Sequence, residues 1–256
     1  MRMFIIIAAA ACAVLSCPTV AIAKAKLAGV LVVIDPGHGG LDDGASGVVS
    51  GNRVVEDEHV YDTALRVRDM IVRDGGKVVL TIVDPKQRRP INNPAGKWLT
   101  DGNDEQINGK GCKPLKGGSS CLRSRLDVAK REIKDHRGKV VWISIHFDVV
   151  GNDKVTGVRI ITPEGRTPQV AEDIRYMFAK ANRCRAHGPI AFSGDKRYGL
   201  RRLYVLGSRN PIRDRILIEL GNFKAPEDLW RIRDPKVRDG YAACIVNGLI
   251  KWSARS

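Results

Sequence analysis

The regular alternation of short β-branched runs with stretches of helical period is what most restricts the fold of this chain. Val30–Ile34, Lys77–Val83, Lys139–Ile145 ("KVVWISI"), Gly157–Thr162 and Arg215–Leu220 ("RILIEL") read as strands. Between them, apolar residues recur every three or four positions. Val60, Ala64, Val67 and Ile71 predict a helix over Glu58–Arg73, stopped by Gly75-Gly76. Leu122, Leu126, Ala129 and Ile133 predict a second over Leu122–His136, and Val170, Ile174, Met177 and Ala181 a third over Thr167–Arg183. Lys236–Trp252 closes the chain as a fourth. Strands alternating with helices of this length imply an α/β fold, with a sheet covered on both faces. A chain of 256 residues is ample for one larger domain. The stretch Lys86–Ser120, rich in Gly, Asn, Pro and Lys, lacks periodicity and reads as a long loop insert.

The first 23 residues stand apart. "MRMFIIIAAAACAVLSCPTVAIA" has a basic start at Arg2, an apolar run from Met3 and a small-x-small ending at Ala21-Ile22-Ala23, the pattern of a secretory signal peptide with Lys24 as the first mature residue. Cleavage is preferred over an uncleaved anchor because of Pro18 and the small-residue ending. It is preferred over lipid attachment at Cys17 of "VLSC" because the apolar run continues past that cysteine. The expected location is therefore the periplasm or cell envelope, with no stable membrane insertion after processing. Export puts the remaining cysteines, Cys112, Cys121, Cys184 and Cys244, in an oxidising compartment where disulfides form. Cys112 and Cys121 flank "GCKPLKGGSSC", which reads as a stapled loop, and Cys184 with Cys244 is the second expected pair.

A net charge of +15 favours a polyanionic partner. The chain has no zinc-finger spacing, helix-turn-helix signal or aromatic RNA platform, so nucleic acid is not the expected partner. Anionic cell-wall polymer or lipid headgroups suit an exported protein better, and a solvated basic face remains the plain alternative.

Four residues sit where an α/β sheet places its chemistry, beyond the carboxyl ends of strands. His38 follows the first strand in "VVIDPGHGG", His146 follows "VVWIS", Glu219 ends "RILI", and Glu56 precedes the first long helix. Gly37, Gly39 and Gly40 let the backbone around His38 turn sharply. Two histidines and two carboxylates are a donor set suited to a catalytic zinc ion: three ligands leave an open position, and a further carboxylate handles the proton. Each residue alone is ambiguous. A histidine at a strand end is more often structural, and Glu56 lies in an "EDE" run that suits any helix N-terminus. Glu219 says more, because it is flanked by Ile218 and Leu220, where a carboxylate needs a partner.

Four ordered blocks, "VVIDPGHGGLDDGASG", "VVEDEHVYDTALRVRDMI", "WISIHFD" and "ILIELGNFKAPEDL", resemble the successive signatures of zinc-dependent N-acetylmuramoyl-L-alanine amidases of the type 3 family. The resemblance spans almost all of the chain after the leader. It implies a single catalytic domain over residues 24–256 with a twisted, mostly parallel sheet of phosphorylase/hydrolase-like type, interrupted by the insert at about 86–120. It further implies peptidoglycan as substrate, Zn2+ as cofactor, His38, Glu56 and His146 as metal ligands and Glu219 as the catalytic residue. Glu58 competes for the second ligand position, but the family glutamate lies eight residues before a helical alanine, and Glu56 with Ala64 keeps that count. The implied reaction is attack of zinc-activated water on the amide between the lactyl group of muramic acid and L-alanine. Three departures stand out: "TIVDP" lacks the family's arginine after the second strand, the Lys86–Ser120 segment intervenes before the next helix, and Asp148 stands where asparagine is common, whereas Arg125 holds the place of the family's arginine at the start of that helix. A catalytically silent peptidoglycan-binding protein and a metallopeptidase on the same scaffold are the alternatives, and no activating protein partner is indicated.

Overall fold

The computed structural model describes residues 25–100, 102–109, 119–149, 152–181 and 189–255. The proposed leader, Cys112, Cys184 and the centre of the "GCKPLKGGSSC" loop lie outside these residues, and with them both expected disulfides. The elements, in chain order, are β1 (Val30–Pro36), β2 (Ser46–Val49), β3 (Asn52–Val55), α1 (Glu56–Arg73), β4 (Lys77–Leu80), β5 (Ile82–Val83), β6 (Gln106–Ile107) and α2 (Ser119–Ile133). They continue with β7 (Lys139–Asp148), β8 (Arg159–Thr162), α3 (Gln169–Lys180), β9 (Ala191–Phe192), β10 (Asp214–Asn222), α4 (Pro226–Arg233) and α5 (Pro235–Ser253).

Six strands form the central sheet in the order β4-β1-β7-β10-β8-β9. The first four are parallel, β8 runs antiparallel to β10, and β9 is parallel to β8. Because side chains alternate across a strand, the apolar run Val30–Ile34 of β1 feeds two cores. Val30, Val32 and Ile34 join Val60, Ala64, Val67 and Ile71 of α1, and residues of α3 and α5, on one face. Val33 joins Trp142, Leu217 and Leu126 and Ala129 of α2 on the other. The mostly parallel sheet with helices on both faces is thus the one expected from the alternation of periods.

Local chemistry explains where the boundaries differ. The strand expected over Lys77–Val83 divides at Thr81, whose N–H donates to Ile34 O at 2.9 Å and whose hydroxyl donates to Asp35 Oδ1 at 2.6 Å. Beyond it Ile82–Val83 leaves the sheet and pairs with Gln106–Ile107. The third helix starts at Gln169 rather than Thr167 because Pro168 is extended, with φ −67° and ψ 146°, and it stops where Ala181 turns extended. A β2–β3 hairpin was not read from the sequence. Its two-residue loop, Ser50-Gly51, has φ of 50° and 77°, the mirror-image turn that matches strand twist.

The insert is anchored to the body at its start. Buried Asp62 of α1 accepts from Ile91 N at 2.6 Å through Oδ1, and from Arg66 Nε at 2.8 Å and Arg238 Nε at 2.6 Å through Oδ2. Arg238 of α5 is fully buried and also donates to Asn93 Oδ1 at 2.9 Å and Ile232 O at 2.7 Å. One carboxylate therefore joins α1, α5 and the chain leaving β5. Removing it strands a buried guanidinium, so Asp62→Ala is expected to lose about 3–5 kcal/mol in urea unfolding.

His59 of α1 is also buried, its Nδ1 2.9 Å from Val55 O and its ring edge-on to Trp98 of the insert. Burial holds its imidazole down at about 4, from an ordinary 6.5, the hydrogen bond to Val55 O partly opposing. The fold favours neutral His59, so this contribution is complete above pH 6.5 and is lost as pH falls toward 4, a change on the order of 3 kcal/mol. Unfolding titrations of His59→Phe are expected to show a shallower loss of stability across that window than the parent, by close to one proton.

Candidate metal centre

The site is built on the carboxyl ends of β1, β7 and β10. Asp35, near the end of β1, is buried and accepts from Thr81 Oγ1 at 2.6 Å and Arg125 Nη1 at 2.9 Å through Oδ1, and from Ser144 Oγ at 2.6 Å through Oδ2. Arg125 of α2 also donates to the carbonyls of Pro36 and His38. The guanidinium thereby fixes the backbone of the turn after β1, where His38 holds a left-handed φ of 63°. That conformation is uncommon for a residue with a side chain and needs such support. Asp42 completes it, with Oδ1 3.0 Å from His38 Nδ1, and this hydrogen bond, ahead of the cost of burial, holds the Asp42 carboxyl below its usual range.

The turn aims the other ring nitrogen of His38 at Glu56. His38 Nε2 lies 3.4 Å from Glu56 Oε2, and His146 Nδ1 lies 3.1 Å from Glu56 Oε1. The two imidazoles meet edge to face, with centroids 5.1 Å apart. One ligand atom from each of His38, Glu56 and His146 lies within 4.8 Å of the others. Donors around a tetrahedral zinc are separated by about 3.3 Å, so the two measured contacts suit a shared ion. Glu56 is steered by backbone donors as well: Oε2 accepts from Ala45 N at 2.8 Å and Oε1 from Phe147 N at 2.9 Å. Burial raises its carboxyl, but the His146 hydrogen bond and the charges of the two histidines outweigh that and lower it. Glu58 lies elsewhere, accepting from Gly102 N at 2.6 Å.

Two glycines exist here for packing. A Cβ on Gly37 would stand 2.5 Å from His146 Nδ1. One on Gly44, which has φ of +69°, would stand 2.5 Å from Glu56 Oε2 and 2.6 Å from His38 Cδ2. Gly37 was expected to serve the turn itself, yet its φ is not positive and its role is to leave room for His146.

Glu219 of β10 stands in register with His146 of β7, on the adjacent parallel strand. Its side chain is half-buried and lines the same cleft, while Oε2 is shielded and meets no hydrogen-bond partner among the described residues. Burial pushes the carboxyl well above the carboxylate range, and the negative charges of Asp148 and Glu56 add to the shift. Asp148, at the end of β7, is held 3.1 Å from Arg159 of β8. The sequence reading missed Arg159, Asp42 and the part of the cleft lined by Leu200, Arg201, Arg202, Leu203 and Tyr204.

A mostly parallel α/β sheet with two histidines and a glutamate converging at its strand ends, and beside them a carboxylate whose buried oxygen meets no hydrogen-bond partner among the described residues, defines a hydrolase domain with a candidate metal site. The family model described as N-acetylmuramoyl-L-alanine amidase matches residues 32–251. The germination-specific N-acetylmuramoyl-L-alanine amidase of Bacillus subtilis (strain 168) is 22% identical over 236 residues, 88% of this chain and 81% of that protein. Among solved structures, the amidase AmiC2 of Nostoc punctiforme matches with a TM-score of 0.61 and 21% identity, covering 90% of this chain and 99% of that one. The catalytic domain of the amidase CwlV from Bacillus (Paenibacillus) polymyxa var. colistinus matches at 0.59 and 21%, covering 87% and 97%. The chain belongs to the N-acetylmuramoyl-L-alanine amidase family, and as such it is a hydrolase that acts on peptidoglycan.

The contacts at Gly44 give a direct test of the cluster. Gly44→Ala is expected to weaken binding of a divalent transition metal by about tenfold or more, as loss of outer support at metal sites does. Competition against a chromogenic chelator measures it, and unchanged affinity would show that the Gly44 contacts do not shape the site.

Proposed function

We propose that the protein cleaves the amide joining the lactyl group of muramic acid to L-alanine of the stem peptide, with His38, Glu56 and His146 holding a zinc ion and Glu219 as the catalytic carboxylate. The observation that carries this reading is the unpartnered Oε2 of Glu219 in register with His146, beside three clustered donors of His, Glu and His type. Nitrogen and carboxylate donors in that combination suit zinc, which when bound supplies Lewis acidity toward carbonyl and water oxygens.

The chain's own groups divide the remaining work. Asp42 accepts from His38 Nδ1 and so leaves Nε2 with its lone pair toward the cluster. Glu56, kept ionised by the two histidines, contributes a negative ligand. Glu219 is different, since a carboxyl raised by burial and neighbouring charge has the basicity to take a proton from water and return it to the departing L-alanine nitrogen. Arg201 and Arg202, which also line the cleft, present positive charge to a stem peptide that carries carboxylates. Among the described residues no helix is long and apolar enough to cross a membrane. A cleaved leader delivering the domain to the periplasm or envelope would bring it to this substrate.

Digestion of purified peptidoglycan followed by mass spectrometry tests the reading. The expected products are free stem peptides and intact glycan strands, released only without chelator. Glu219→Gln is expected to lower the rate by about 10²–10⁴-fold while zinc content stays at one ion per chain. Chelator-resistant release, or full activity in Glu219→Gln, overturns the mechanism.

A further inference from the structure

Asp84, Asp104 and Glu105 form a second cluster, with one oxygen from each within 4.8 Å of the others. It lies where the chain leaves β5 and returns into β6. Asp84 and Glu105 are buried, Glu105 to 1% exposure. Half of each carboxylate is already used: Asp84 Oδ1 accepts from Lys86 N at 2.6 Å and Glu105 Oε2 from Gly40 N at 2.8 Å. Glu105 Oε1 is buried and has no partner among the described residues. Among the described residues the Lys86 ammonium lies against the cluster, 2.6 Å from Asp104 Oδ2, on a side chain that is 80% exposed.

A buried carboxylate oxygen without a donor, beside two further carboxylates, is an arrangement that costs free energy until something positive fills it. The donors are all oxygen, which selects a hard cation over zinc. We propose that Asp84, Asp104 and Glu105 bind a divalent hard cation of the calcium class, at a site separate from the histidine cluster. Burial, with the charges of Asp84 and Asp104, raises the Glu105 carboxyl, so a proton is the competing occupant.

The location gives this ion a task. Glu105 Oε2 holds Gly40 N, two residues beyond His38, so a cation that keeps Glu105 ionised strengthens the grip on the turn carrying that histidine. The second site thereby becomes a further clamp on the turn that Arg125 holds through the Pro36 and His38 carbonyls. The proposal stands on the carboxylates alone and does not depend on the amidase mechanism.

Terbium, a luminescent substitute for calcium, tests it on the whole folded protein. The Tyr61 hydroxyl accepts from Asp84 N at 2.8 Å, which places a sensitising ring beside the cluster. Excitation of tyrosine is expected to give saturable terbium emission at one equivalent, displaced by calcium and unchanged in His38→Ala. Glu105→Gln and the part-exposed Asp104→Asn are each expected to lower terbium affinity at least about tenfold. Calcium is expected to raise the melting temperature of the parent and of His38→Ala alike. Absence of saturable emission, undiminished affinity in Asp104→Asn, or loss of emission in His38→Ala overturns the proposal. The last result would move the ion to the histidine cluster.

Discussion

The ion pair between Asp35 and Arg125 is the contact on which the site depends. It joins the end of β1 to α2, and through Thr81 and Ser144 the same carboxylate reaches the ends of β4 and β7. A buried pair of this kind contributes little net stability, because desolvation offsets most of the attraction. Its value is positional. The guanidinium spends its remaining donors on the carbonyls of Pro36 and His38, and so turns a strand end into a rigid loop with one histidine in a fixed direction.

Two glutamates that line the same cleft then acquire opposite character. Glu56 receives two backbone donors and faces two imidazoles, all of which favour its charge. Glu219 is half-buried, its Oε2 meets no donor among the described residues, and it feels the charge of Asp148, itself raised mainly by burial although Arg159 opposes the shift. The departure from asparagine at position 148 therefore adds a negative neighbour to Glu219. Carboxylates pushed apart in this way are suited to different tasks, one as a permanent anion and the other as a proton carrier.

Much of this was legible in the sequence, and the reasons are specific. Strands buried on both faces show as continuous β-branched runs, and Val60, Ala64, Val67 and Ile71 all turned out fully buried on one face of α1. His38, Glu56 and His146 do converge, and Glu219 does stand beside them. What escaped depends on contacts distant in the chain. Arg159 is paired with Asp148 across two strand neighbours, and nothing local marks it. The β2–β3 hairpin had a signal in "VVSGNRVV", where Ser-Gly divides two β-branched pairs, but each arm has only four residues. Glu56 was read as preceding its helix, whereas that hairpin feeds straight into α1 and makes Glu56 its first residue.

Strand order also separates the site into two assemblies. His38 follows β1 and His146 lies on β7, two neighbours in the sheet, and Glu56 opens α1 between them in the chain, whereas Glu219 arrives later with β10 on the other side of β7. The three clustered donors are therefore all synthesised before Glu219. A chain emerging from its N-terminus completes the three-donor cluster three strands before it gains Glu219, because β8 and β9 also precede β10.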